Sequence, residues 1–367
     1  MLNGLNLNPG VAGFGAVGAV VNGVRQTGSM ALRQNTTFRT NIADGNYAAV
    51  AASLNSSTAV TGDGGGLIRN GGLPENFVVN NPQFSSVTLN TNPGSSTYHS
   101  MQAQLTFRPV SGLSYQATYV LSKALTTCAD QNCTVWANAT NRSLDKTLQA
   151  SDRRHDFRIN GSWELPFGPN RLLLRNSHGL LARMVEQFQL SWILNMTSGS
   201  PNNIGARNTY VGYGRADVVG DFPHQGNARM TATLPVYFAP GRYQNVTDQQ
   251  CANVTPLQGL QTACSLRAIT DSQGHILLQN ATPGRLGNLG AGWVEGPGQF
   301  RFDMSASKTM RISETKSVQF RIDARNLLNK PILGNPNLDI NSASFGQIAA
   351  TGVTGNRNFQ ALLRFSF

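Results

Sequence analysis

Charge is what this 367-residue chain has least of: only 13% of its residues are Asp, Glu, Lys or Arg, about half the roughly 25% usual in soluble globular domains. Oily residues do not fill the gap, because hydrophobic content is 40%; Gly, Asn, Ser, Thr and Gln do. Long apolar runs are missing too. No stretch approaches the roughly 18 uninterrupted apolar residues of a spanning helix, which excludes a helical membrane protein. The chain has 29 Lys and Arg against 18 Asp and Glu, a formal charge of +11. Yet the longest basic run is the pair Arg153-Arg154, so nucleic acid is not an expected partner. A basic lumen or loop surface facing anionic lipid or substrate fits the charge better. The five His are scattered, and no Ser-His-Asp or His-Glu-x-x-His spacing occurs, so neither a catalytic site nor a metal or cofactor site is expected. Gly13 to Gly18 match G-x-G-x-x-G, but no buried strand precedes them and more glycine follows, which removes the dinucleotide reading. Residues 1–24 carry no Lys or Arg and their apolar part is broken by Gly13, Gly15, Gly18 and Gly23. They do not read as a secretion signal, and the expectation is that upstream sequence is missing.

Cysteine is scarce and paired. Cys128 and Cys133 flank four residues, and Cys251 and Cys264 bracket a polar stretch. An even count in loop-like sequence points to two loop disulfides in an oxidising compartment. Zinc is the rival, but neither pair is C-x-x-C and no His lies at ligand spacing.

What is present is alternation. Seven strips place apolar residues on every second position, so each strip shows one greasy and one wet face. His99, Met101, Ala103, Leu105 and Phe107 oppose Ser100, Gln102, Gln104, Thr106 and Arg108. Leu113 to Ser122, Phe157 to Leu165, Phe188 to Thr197, Phe300 to Ser307, Val318 to Arg325 and Phe359 to Phe367 repeat the pattern. The fold expected is all-β: about seven antiparallel strands forming the C-terminal segment of a large transmembrane β-barrel with long extracellular loops. Loop lengths agree. Counting back from a periplasmic C-terminus, 329–356, 199–298 and 124–151 fall outside, and 313–316, 166–187 and 109–112 inside. Every outer connection is longer than every inner one, although 166–187 is long for a periplasmic turn. Residues 1–97 form an outer-side loop region with a possible short helix over 41–54, and 98–367 carry the strands. Seven strands cannot enclose a channel, because open sheet edges are not tolerated in hydrocarbon. A fragment of a larger barrel, or a truncated reading frame, is expected.

Several segments then resemble one family. They are Ser96 to Gln102 leading into Leu105-Thr106, Tyr119 to Leu125 (YVLSKAL), and Ser151 to His155 leading to Trp163 to Gly168. Phe320 to Pro331 (FRIDARNLLNKP), Phe345 to Ile348 and the terminal Phe complete the set. Together they are similar to large TonB-dependent receptors of the outer membrane, most nearly the Oar-like group, in which a carboxypeptidase-regulatory-like domain precedes plug and barrel. The resemblance implies a barrel of about 22 strands with a plugged lumen, inward transport energised by TonB, and a bacterial outer-membrane location. It also implies assembly by the outer-membrane barrel machinery, for which Phe365 and Phe367 would be the signal. No TonB box, plug or regulatory domain is found in this sequence.

Candidate contact residues follow from parity. Arg154, Asp156 and Arg158, and on later strands Arg301, Asp303, Arg321, Asp323 and Arg325, all have lumen parity. Opposite charges facing across strands would stabilise the wall, or meet the plug or a ligand. Arg suits bidentate recognition of carboxylate or phosphate. Tyr115, Tyr119, Trp163, Trp192, Phe300 and Phe302 have lipid parity and suit an aromatic girdle. Tyr210, Tyr213, Tyr237 and Tyr243, in the long loop, are candidates for stacking on a carbohydrate. The ligand could be an iron chelate, a glycan or a peptide. Two other classes stay open: a passive porin or adhesin-like barrel, and a soluble secreted β-protein.

Overall fold

The fold comes from a computed structural model. It describes residues 20–21, 23–25, 27–56, 94–128, 136–138, 141–169, 171–176, 178–207, 209, 214–313 and 315–367, with scattered positions between 74 and 92. The Gly13 to Gly18 motif lies outside the described residues.

Seven long strands form one sheet: β1 (Ser96–Val110), β2 (Leu113–Thr126), β3 (His155–Glu164), β4 (Phe188–Thr197), β5 (Gln299–Arg311), β6 (Ser317–Arg325) and β7 (Asn358–Ser366). Each pairs antiparallel with the next in sequence, so the path is a pure meander from β1 to β7. The two ends of that path do not meet, and the sheet is open. A two-residue strand, Thr147–Leu148, adds to the end of β2. The β1–β2 turn is tighter than expected. It is two residues, Ser111 and Gly112, both with positive φ (52° and 82°), the condition for a hairpin turn whose twist matches its strands.

The wall has almost no core. Among the described residues of the seven strands only Ala124 and Ala324 are buried hydrophobics. Met101, Leu105, Phe320, Phe359, Leu363 and Phe365, all on the greasy face, are exposed. No second sheet or helix layer covers that face among the described residues, which removes the soluble-sandwich arrangement. In water such a surface is far too apolar to be left bare. In hydrocarbon it is the stable arrangement.

The core lies beyond one end of the sheet. The stretch 199–298, expected as a long outer loop, is folded. Strands Tyr243–Thr247, Arg267–Asp271, Ile276–Asn280 and Ala216–Val218 pair in that order. They carry a cluster of Ile204, Phe222, Phe238, Ile269, Leu278 and Leu289, to which the 326–357 connection adds Leu338 and Ile340. Each buried side chain of that size contributes roughly 1.5–3 kcal/mol, so this outer domain holds itself together. Hydrogen bonds hold much of its buried polar scaffold. Asn280 and Asn341 exchange side-chain hydrogen bonds of 3.0 Å each way, and the Asn280 N–H donates to Asp248 at 3.0 Å.

The expected helix over 41–54 is a chain of three: α1 (Gly28–Gln34), α2 (Thr36–Ala43) and α3 (Tyr47–Ser56). The break at 44–46 has a cause. Asp44 is buried in the outer domain, accepting from Ser265 N at 2.7 Å and pairing with Arg207 at 2.7 Å. The helices are thereby tied to the outer domain. The 165–187 connection at the opposite end also holds a helix, α4 (Gly179–Val185).

Candidate functional site

The strand register assembles the wet face into rows. One row runs Ser114, Ser162, Ser191, Ser305, Asp323, Gln360, each member directly opposite the next across β2 to β7. The Ser114 and Ser162 hydroxyls hydrogen-bond at 3.1 Å. Small polar side chains keep this face low, and a cleft of about 780 Å³ lies along it. All six members of the row line it, with Asp303, Arg321 and Arg325.

The lumen-parity charges pair along their own strands rather than across them. Arg158 bonds Asp156 at 2.7 Å, Arg301 bonds Asp303 at 3.0 Å, and Arg321 bonds Asp323 at 2.7 Å. This corrects the cross-strand expectation. Residues i and i+2 share a face, and each Arg meets Asn195 or Leu362 in register instead of an acid. Such exposed pairs contribute about 0–1 kcal/mol each; their effect is to fix where charge sits on the wall. Asp303 also accepts from Asn326 N at 2.7 Å, anchoring the end of β6.

The greasy face has its own rows. Phe107, Tyr115, Gly161, Trp192, Met304, Ala324 and Phe359 lie opposite one another across all seven strands. Phe107 stacks on Tyr115 with centroids 5.2 Å apart. The Tyr119 hydroxyl lies 2.8 Å from His155 Nδ1.

A second cavity, of about 540 Å³, lies where the wall meets the outer domain. Lys123 and Arg154 come from the wall, and His224, Trp293 and Glu295 from the outer domain. Trp293 packs against His224 at 4.1 Å. Asp152 stabilises the rim by accepting from Ala124 N at 2.7 Å. Arg154 is thus separated from Asp156 and Arg158 and faces this cavity. The rim also carries a buried ion pair, Asp145 with Arg215 at 3.1 Å.

Other expected site residues fall elsewhere. Tyr210 and Tyr213 lie outside the described residues. Tyr237 and Tyr243 are not a stacking platform: Tyr237 is in the outer core and Tyr243 packs against it, among Phe222 and Phe238. Burial pushes both phenols above their ordinary pKa. Cys251 and Cys264 form a disulfide, and Cys128 is disulfide-bonded; Cys133 lies outside the described residues. Phe365 and Phe367 stand exposed at the chain end. His224 and Trp293 escaped the sequence reading. The hairpin signal around Asp271 to His275, flanked by Ala268-Ile269 and Ile276-Leu277-Leu278, could have revealed the domain that holds them.

Comparison with known proteins agrees with this geometry. The family model described as "Outer membrane beta barrel domain" matches residues 22–360. No curated protein matches the chain. A solved structure titled "Copper transporter OprC" is similar at 13% identity over 74% of this chain and 50% of that one. Its TM-score is 0.18, a level at which the likeness carries no argument.

Proposed function

The chain belongs to the outer membrane β-barrel domain family, and from that premise we propose that it is wall and outer mouth of a TonB-dependent uptake receptor of the Oar-like kind. The bacterial outer membrane is its location. One observation carries the reading: the wall carries a cleft lined by its serine row, and the rim carries a second cavity built jointly with a folded outer domain. A ligand caught at that mouth would pass inward beside the wet face of the strands, which the serine row crosses. Lys123 and Arg154 favour a ligand with an anionic group, and Trp293 offers a planar or sugar-binding face. The chain's role is capture and passage, not catalysis. Energy would come from TonB through parts of the receptor other than this wall.

Gene disruption tests it. Cells lacking this gene and cells lacking tonB are grown in the same medium, and solute depletion is followed by mass spectrometry. Transport predicts that a shared set of compounds stays undepleted in both strains. Loss confined to the gene disruption would favour a passive porin, and unchanged depletion an adhesive or structural barrel.

A further inference from the structure

The 165–187 connection is too long for a periplasmic turn and is built unlike one. It folds back on the end of β3, with Leu173 N donating to Pro166 O at 2.9 Å and Gly168 N to Leu173 O at 3.0 Å. The consequence is three consecutive leucines pushed outward, Leu172 83%, Leu173 48% and Leu174 51% exposed. Met184 on α4 is 65% exposed, and Ile312 in the neighbouring β5–β6 turn is 63% exposed. The connection and the neighbouring strand ends are rich in cations, Arg171, Arg175, Arg183, Lys308, Arg311 and Lys316, of which Arg171 pairs with Glu164 at 3.3 Å. The Arg183 guanidinium donates to Arg311 O and so ties the helix to the end of β5.

The patch lies on the outside of the wall. Lys308 shares the greasy face of β5 with Phe300, Phe302 and Met304. From there its ammonium sits over the Phe188 ring at 4.5 Å and donates to Glu186 O at the end of α4. The patch therefore continues the lipid-facing belt at the short-turn end.

We propose that residues 165–187, with the β5–β6 turn, are an interfacial anchor that binds anionic phospholipid of the inner leaflet. Leu172 to Leu174 and Met184 enter the headgroup–acyl boundary, and Arg175 reaches the phosphates. Apolar side chains beside arginine are what such a boundary selects. The proposal rests on the reading of the sheet as a membrane wall.

Leu172→Trp in the full chain tests it. The protein is reconstituted in phosphatidylcholine vesicles, with and without phosphatidylglycerol, using lipid brominated near the glycerol end. The expected result is additional fluorescence quenched by bromolipid and shielded from aqueous iodide. Removing Arg175 by alanine is expected to weaken retention of phosphatidylglycerol about fivefold, measured by native mass spectrometry. If the native Trp163 and Trp192 are quenched by bromolipid but the added fluorophore answers only to iodide, the anchor is overturned and the wall stands. If no tryptophan is quenched by bromolipid, both are overturned.

Discussion

Single residues show how a sheet with no second layer stays ordered. Gly161 sits in the greasy row between Tyr115 and Trp192. A Cβ there would lie 2.5 Å from the Trp192 ring and 2.7 Å from Ser114 O. The indole has been laid over the bare backbone, covering hydrogen bonds that a glycine would otherwise leave open. Gly161→Ala must displace either the ring or the strand. It should destabilise the wall by about 1–3 kcal/mol, the usual range for overpacking, read from urea unfolding in lipid vesicles. Trp192→Ala in the same background should recover part of that loss by removing the clash. An unchanged midpoint in Gly161→Ala would mean that the ring does not rest there. This contact could not be foreseen from sequence. Alternation assigns Gly161 and Trp192 to one face, but only register makes them neighbours.

Among elements, legibility followed period. Each wall strand fell where apolar residues alternate, because lipid on one side and water on the other impose that pattern directly. Parity also placed Asp303, Arg321, Asp323 and Arg325 on one surface. It could not say that the arginines bond acids on their own strands, which depends on the in-register residue being Asn195 or Leu362. The outer domain was missed because its strands are short and its core comes from separated pieces, 199–298 and 326–357. Its glycines and asparagines read as loop although Asn280, buried, and Asn341, half-buried, are scaffolding. Here the Cys251–Cys264 disulfide matters. It closes a segment with a sequence separation of 13 and short 3-10 turns, a loop length for which cross-linking contributes about 3 kcal/mol. That segment receives Arg33 at Gln258 and Arg39 at Gly259, so it also seats α1 and α2. Reduction should open 249–264 to protease and release the helices, while β1 to β7 remain protected. Mass mapping of limited digests checks this, and cuts appearing first in the strands would contradict it.

At the scale of the whole molecule, two parts obey different solvents. The wall is stabilised by lipid on its greasy rows, with edge strands β1 and β7 that must find partner strands before their backbone groups can sit in hydrocarbon. The outer domain is stabilised as water-soluble proteins are, by a buried cluster and hydrogen bonds among its polar side chains. The rim joins the two through polar contacts, among them the Asp145–Arg215 pair at 3.1 Å and the Thr147 hydroxyl donating to Ala291 O at 2.8 Å. Local stability tracks buried contacts, so weakly joined parts should open separately. Urea acts on hydrophobic burial from water, which the outer domain depends on and the lipid-facing rows do not. Unfolding in vesicles should therefore proceed in two steps. Trp293, packed against the outer core, reports the first at lower urea; Trp163 and Trp192, on the wall, report the second. Variants retaining one reporter each, with the remaining tryptophans replaced by Phe, separate the signals. Coincident transitions for all reporters would show that wall and outer domain form a single cooperative unit, and the mouth would then move only with the barrel.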